Sequence, residues 1–286
     1  MSSSVAASDS THVRLSRRWH RWLAVALASL VAASAGTHQA AARTGPRVAG
    51  IDVPILMYHV IAPPFPTSRF PGLYVPPAEF AAQMRALASA GYHAVTLDEL
   101  RNGLRGTGSL PPRPIVISFD NGYRSQYTEA LPILRRLHWI GVENLQLSGL
   151  PPGQGGLSSI EIRGMVEAGW ELDTQGLSHA DLTGLGATAL HRQVAVRSMM
   201  RRLYGVLPAW FCYPSGRYDQ TVVAAVKAAG YVGATTVSPG WARRSDDPYR
   251  LPRLRVLGGT DPHALLELIA DSRNDPPPPP AYLPHV

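Results

Sequence analysis

Apolar residues along the chain follow two rhythms. Short strand-like segments recur at 53–60, 93–97, 114–120, 143–147, 170–174, 210–213, 231–236 and 251–257; the clearest, around Ile55 and over Ile115-Val116-Ile117, are continuous apolar runs that predict buried strands. Between them the apolar positions shift to helical spacing, as in Phe80, Met84 and Leu87, and predict helices over 78–90, from Leu97 onward, and over 127–137, 158–168, 187–203, 219–229 and 263–270. Gly91 and Gly230 stand where two of these helices should end, and Ser158 with Glu161 has the spacing of a capping box. A Pro-rich stretch at 63–77 reads as a loop, and a Gly/Pro-rich stretch at 148–158 as a loop long enough to border a site.

Strand and helix thus alternate seven or eight times, with no GxGxxG after the first strand and no phosphate-binding loop. The pattern predicts an α/β fold, a distorted parallel (β/α) barrel of about seven strands in a single domain. Barrels of this kind place their chemistry at the strand carboxyl ends. His59, Asp120, Gln175 with His179, residues 214–216 and residues 236–241 should therefore share one rim.

The chain of 286 residues is 45% hydrophobic, enough to bury one substantial core. Its formal charge is +7, but the first 42 residues hold four Arg against one Asp, so the remainder carries only +4. No basic run exceeds two residues there, which leaves nucleic-acid binding without support. The basic cluster from Arg14 to Arg21, the apolar run 22–35 and small-residue sites near Ala35 and Ala42 read as an export signal over 1–42. A run of that length is short for a membrane span, so membrane contact is expected only if the segment stays uncleaved. A polar linker over 43–52, a barrel over 53–272 and a Pro-rich disordered tail over 273–286 complete the expected layout of an exported protein, secreted or attached to the cell envelope. The single cysteine, Cys212, excludes an internal disulfide and a cysteine-based zinc cluster, and reads as a small buried residue. Trp139, Trp170 and Trp210 read as core.

Five segments in order, beginning with Pro54 to His59 and Ser118-Phe119-Asp120-Asn121-Gly122-Tyr123, continue with Trp170 through Leu182, Phe211 through Asp219, and Asp247 through Arg253. Over about 53–257 this series resembles the polysaccharide deacetylases, which remove acetyl groups from cell-wall and capsule sugars with a metal-bound water. The resemblance implies that Asp120 is the catalytic base and that backbone donors near Ser215 form an oxyanion hole. It also implies that Trp241 walls the acetyl group, and that a divalent, zinc-like metal sits between a second Asp and two histidines four residues apart. Here the two leading ligand positions are occupied by Asn121 and Gln175, and His179 is the one strong ligand that survives. Asp120, His179 and Asp173 form an alternative ligand set. His59, Asn121, Gln175, Ser215 and Trp241 are the expected substrate-binding residues.

Two functions are compatible with these residues. One is an exported deacetylase-like hydrolase acting on an acetylated polysaccharide, with Asp120 deprotonating water and His179 holding it or a metal. The other is a catalytically degenerate barrel that binds carbohydrate, with Asn121 and Gln175 as sugar-contacting amides. Both lost ligands became carboxamides, which donate and accept at once and suit a retained polar pocket.

Overall fold

The computed structural model describes residues 51–150 and 155–277. The proposed signal, nearly all of the linker and residues 278–286 of the tail lie outside the described residues. Two strands form the spine: β1 (Asp52–Tyr58) and β3 (Pro114–Asp120) pair in parallel from Ile55↔Val116 to Tyr58↔Phe119 and are buried on both faces. The short β2 (His93–Ala94) pairs with the start of β3. From β3 the parallel sheet continues through β4 (Val142–Leu145), β5 (Glu171–Thr174), β6 (Trp210–Cys212) and β7 (Gly233–Thr235). A bridge from Thr235 to Leu251 and the parallel pairing of β9 (Leu254–Arg255) with β1 carry the ladder back to its start. The sheet therefore curls round an interior, as expected for a (β/α) barrel. The sequence pattern did not reveal β8 (Trp241–Arg243), which runs antiparallel along the first half of β1.

Alternation along β3 sets the two environments. Ile115, Ile117 and Phe119 turn outward under α1 (Pro77–Ser89) and its neighbours, where Phe80, Met84, Leu134 and Trp170 fill one core. Val116 turns inward with Val53, Ile55, Val142 and Trp210 to plug the lower barrel. Ser118 and Asp120 follow Val116 on that inner side, and so stand above the plug at the open end. Trp139, Trp170 and Trp210 are all buried, as their core reading required.

Two expected helices are interrupted, each for a local reason. The span 187–203 is two helices, α5 (Ala187–Val194) and α6 (Arg197–Tyr204). Val194 and Val196 are both buried, and residues two apart point to different sides of a helix. The break lets both reach the core, and the carbonyls freed near it accept from Leu177 N–H (Gln193 O, 2.8 Å) and the Tyr231 hydroxyl (Val194 O, 2.8 Å). The span 127–137 opens with a wide π turn (Gln126–Ala130) before α3 (Leu131–Arg136). Pro132 lacks the N–H that an α-helix would use there. The wide turn turns Gln126 inward, where its amide bonds the carbonyls of His59 and Asp120, both at 2.8 Å.

The helices that frame the site are firmly capped. At α4 (Ser159–Glu167), Ser158 and Glu161 form the expected capping box, and Asp219 accepts from Val222 N–H at 2.8 Å to start α7 (Gln220–Ala228). A second capping box, Thr96 with Glu99, opens α2 (Leu97–Arg105), and Asp261 caps α8 (Pro262–Asp271). Among the described residues no helix is long and apolar enough to cross a membrane.

Candidate binding site

Asp120 ends β3 only 2% exposed, a position in which a bare carboxylate would be strongly disfavoured. Arg253, 1% exposed just before β9, meets it with two parallel bonds, Nη1 to Oδ1 at 2.7 Å and Nη2 to Oδ2 at 2.8 Å. Asn144 Nδ2 donates to Oδ1 at 2.9 Å, and the Cys212 thiol lies 3.6 Å from Oδ2. Burial pushes the Asp120 pKa up, but the charge and hydrogen bonds of Arg253 outweigh it and bring the value to about 2. Burial likewise holds the Cys212 thiol protonated, at about 12, so it can act as the donor. Four donors thus surround the two oxygens, which offer about four lone-pair sites. The guanidinium is equally committed, since it also bonds Thr236 O, Ser118 Oγ and Cys212 Sγ at 2.8, 3.2 and 3.2 Å.

Beside this ion pair the chain turns through two left-handed residues, Asn121 (φ 81°) and Gly122 (φ 82°). Asparagine tolerates that conformation better than most residues. The turn directs Asn121 Nδ2 onto Gln175 Oε1 at 2.9 Å, and Gln175 Nε2 in turn lies 3.4 Å from Cys212 Sγ. Gln175 is positioned by Gly176, whose φ of +86° and close approach to Gln193 O leave no room for a side chain: an added Cβ would lie 2.7 Å from that oxygen. Gly176→Ala should therefore cost about 1–3 kcal/mol of stability. Urea unfolding measures this, and a loss below about 0.5 kcal/mol would mean that the turn adjusts freely.

Six of the expected site residues, His59, Asp120, Asn121, Gln175, His179 and Ser215, line one cavity of about 420 Å³. The remaining wall includes Phe70, Leu73, Tyr123 and Arg255. Burial lowers the pKa of both histidines, His59 to about 4 against the pull of Asp120, so both rings are neutral at neutral pH. His59 Nδ1 is sealed from solvent with no partner. Ser215 has φ 52° in the tight turn Pro214–Gly216. The Gly216 N–H is taken by Tyr213 O at 2.7 Å, so a backbone donor for an oxyanion would have to be that of Ser215.

Two expectations are corrected. Trp241 does not line the cavity: β8 pairs with the opening half of β1, at the end away from Asp120, and the indole N–H is bonded to Ile269 O at 2.9 Å. Asp173 does not join Asp120 and His179, because its Oδ1 accepts from the backbone N–H groups of Ala209 and Trp210 at 3.1 and 2.8 Å and seats the start of β6. Arg253, Asn144 and Cys212 were given no site role in the sequence reading. An Arg within the expected strand 251–257, between Pro252 and Leu254, was the available signal, since a charge within a buried segment requires a partner.

The donor set does not fit a divalent cation. Asn121 and Gln175 are bonded to each other through an N–H, no anionic oxygen faces His179 at their positions, and one imidazole falls short of the three protein ligands of a catalytic zinc. Among the described residues no group of three or more His, Cys, Asp or Glu is placed to hold a metal. What the arrangement offers is a polar floor in which Asp120 is neutralised by Arg253, beneath partly apolar walls that also carry Arg255.

Comparison with known proteins agrees with the fold and the motifs. Residues 107–234 match the family model for polysaccharide deacetylase. The polysaccharide deacetylase-type protein YxkH of Bacillus subtilis is 29% identical over 210 residues, 72% of each chain. The poly-β-1,6-N-acetyl-D-glucosamine N-deacetylase of Escherichia coli is 38% identical over 60 residues, 21% of this chain and 9% of that one. The Streptococcus pyogenes deacetylase PplD, solved with acetate, superposes with a TM-score of 0.70 at 22% identity, covering 76% of this chain and 98% of that one. With its motifs in order on a curled parallel sheet, and with carboxamides where the resemblance expects two metal ligands, the chain carries a polysaccharide deacetylase family domain matched over residues 107–234.

Proposed function

We propose that the chain binds an acetylated polysaccharide of the cell envelope in the cavity above Asp120, outside the cytoplasm, and does not release its acetyl groups by the metal-bound water of the family. The observation that carries this reading is the 2.9 Å bond from Asn121 Nδ2 to Gln175 Oε1, which ties together the two positions where the resemblance expects metal ligands. The saturation of Asp120 supports it, because a carboxylate with about four donors on its lone pairs has no free site for the proton of a water. Neutral imidazoles and carboxamides beside an Asp120 already paired with Arg253, in a partly apolar hollow, suit a polar acetamido sugar. The basic and apolar pattern of residues 1–42 supports the location.

A second reading, hydrolysis, is favoured by one observation: His59, Asp120, His179 and the left-handed Ser215 turn still surround a single cavity. In that reading Asp120 takes the proton of a water held by His179, and the Ser215 N–H stabilises the oxyanion. Calorimetric titration with N-acetylglucosamine oligomers and with their deacetylated counterparts, run beside an acetate assay, separates the two. The binding reading expects about a tenfold or larger preference for the acetylated form, and acetate no higher than in buffer. Acetate release that disappears in Asp120→Asn would establish hydrolysis instead.

A further inference from the structure

A cavity of about 420 Å³ lies toward the small end of ligand pockets, about 300–1,000 Å³, so a polymer that places one acetylated unit there must leave across the rim. One side of that rim is the Pro-rich loop that follows β1. Its residues Phe70 and Leu73 line the cavity. Farther along, Phe65 is 67% exposed, and its ring meets the edge of Tyr74 at 6.2 Å and 80°. The guanidinium of Arg69 lies 5.3 Å over the Phe70 ring. The loop that supplies Phe70 and Leu73 to the cavity wall therefore also carries an exposed aromatic pair, Phe65 with Tyr74.

The loop that carries these rings is firmly held. Val60 and Leu73 are joined at 3.2 Å, Val75 N–H reaches Val60 O at 2.9 Å, and Gly258 N–H bonds Gly72 O at 2.9 Å. Phe65 itself sits in a closed turn, its N–H on Ser68 Oγ at 2.9 Å and its carbonyl accepting from Ser68 N–H at 2.9 Å, between Pro64 and Pro66. A ring presented this way loses little conformational freedom on binding. An exposed phenylalanine alone would mean nothing; one on a fixed loop that also supplies the wall of a pocket has the properties of a contact surface.

We propose that Phe65, with Tyr74 and Phe70, forms a second subsite that stacks the apolar face of a neighbouring sugar of the same chain. This rests on the binding function proposed above and adds its polymer specificity: affinity should grow with chain length because later units reach the loop. The occupant is an uncharged acetylated hexose chain.

Phe65→Ala, compared with Phe65→Trp and the native chain, tests this by titration with N-acetylglucosamine and its hexamer. Phe65 makes no core contact, so unfolding curves should coincide for all three proteins. The expected result is about a tenfold loss of hexamer affinity in Phe65→Ala, unchanged binding of the monosaccharide, and recovery in Phe65→Trp. Equal hexamer affinity in the alanine variant and the native chain overturns the subsite while leaving the cavity reading intact, and so does a loss that extends to the monosaccharide. Failure of the native chain to bind any acetylated oligomer overturns the binding function beneath it.

Discussion

A chain carrying Asn121→Asp together with Gln175→His should take up about one zinc ion per molecule, whereas the native chain retains none after dialysis. The double change removes the carboxamide bond at 2.9 Å and replaces it with a carboxylate and an imidazole beside His179. Three protein ligands with an open fourth position are the usual composition of a catalytic zinc site. The backbone needed to present them is already in place, since the left-handed Asn121 and Gly122 turn and the Gly176 bend fix both positions. Neither single change should suffice. Asn121→Asp leaves a carboxylate against the Gln175 amide, and Gln175→His leaves no anionic ligand. Elemental analysis after dialysis and a competition titration measure the difference, expected to be about a thousandfold or more in affinity between native and double variant. Near-stoichiometric zinc in the native protein would sink the metal-free reading. A folded double variant that binds none would show that the two carboxamides do not stand at the ligand positions.

The second large effect is expected at Arg253. Replacing it by Met removes the cation from a pair in which both side chains are almost fully buried, and should destabilise the fold by about 3–5 kcal/mol. The cost comes less from the lost attraction than from Asp120 left buried without a cation. Its pH dependence identifies the cause. In the native chain Asp120 is held at about 2, below its unfolded value near ~3.9. Its contribution is therefore fully present above the unfolded value and is lost as the pH falls through the folded one. In Arg253→Met burial prevails, the carboxyl pKa rises above the unfolded value, and acidification should instead stabilise the variant relative to neutral pH. Urea unfolding between about pH 4 and pH 7 distinguishes these slopes. Adding Asp120→Asn to Arg253→Met should recover part of the loss, because no buried charge then remains. A loss below about 1 kcal/mol with an unchanged slope would mean that water reaches Asp120 in the variant and the pair is not sealed.

Both experiments concern groups that differ in how visible they were. Asn121 and Gln175 stood out in the sequence because they interrupt ordered motifs, but their direct bond depends on a strand register that joins β3, β4 and β5. Arg253 lies 133 residues from Asp120 in the chain, and no local pattern links them. Asn144 resembles any polar residue in a short strand until its register places it level with Asp120. Trp241 was assigned to the site because it follows the expected strand 231–236 and by the resemblance, and the antiparallel path of β8 carried it to the other end of the barrel.

The sequence by itself determined the barrel and its open end. Continuous apolar runs have few stable arrangements other than buried parallel strands, helical spacing between them supplies the covering layer, and residues closing those runs must emerge on one rim. Together with the resemblance, it placed carboxamides where metal ligands are expected, a reading that rests on residue type. Only the tertiary structure decided what the replacements do. Whether two carboxamides reach each other, whether an aspartate keeps a free lone pair, and whether an aromatic ring stands at a cavity rim all depend on side-chain positions within a fraction of an ångström. Those positions are set by packing and register among strands far apart in the chain.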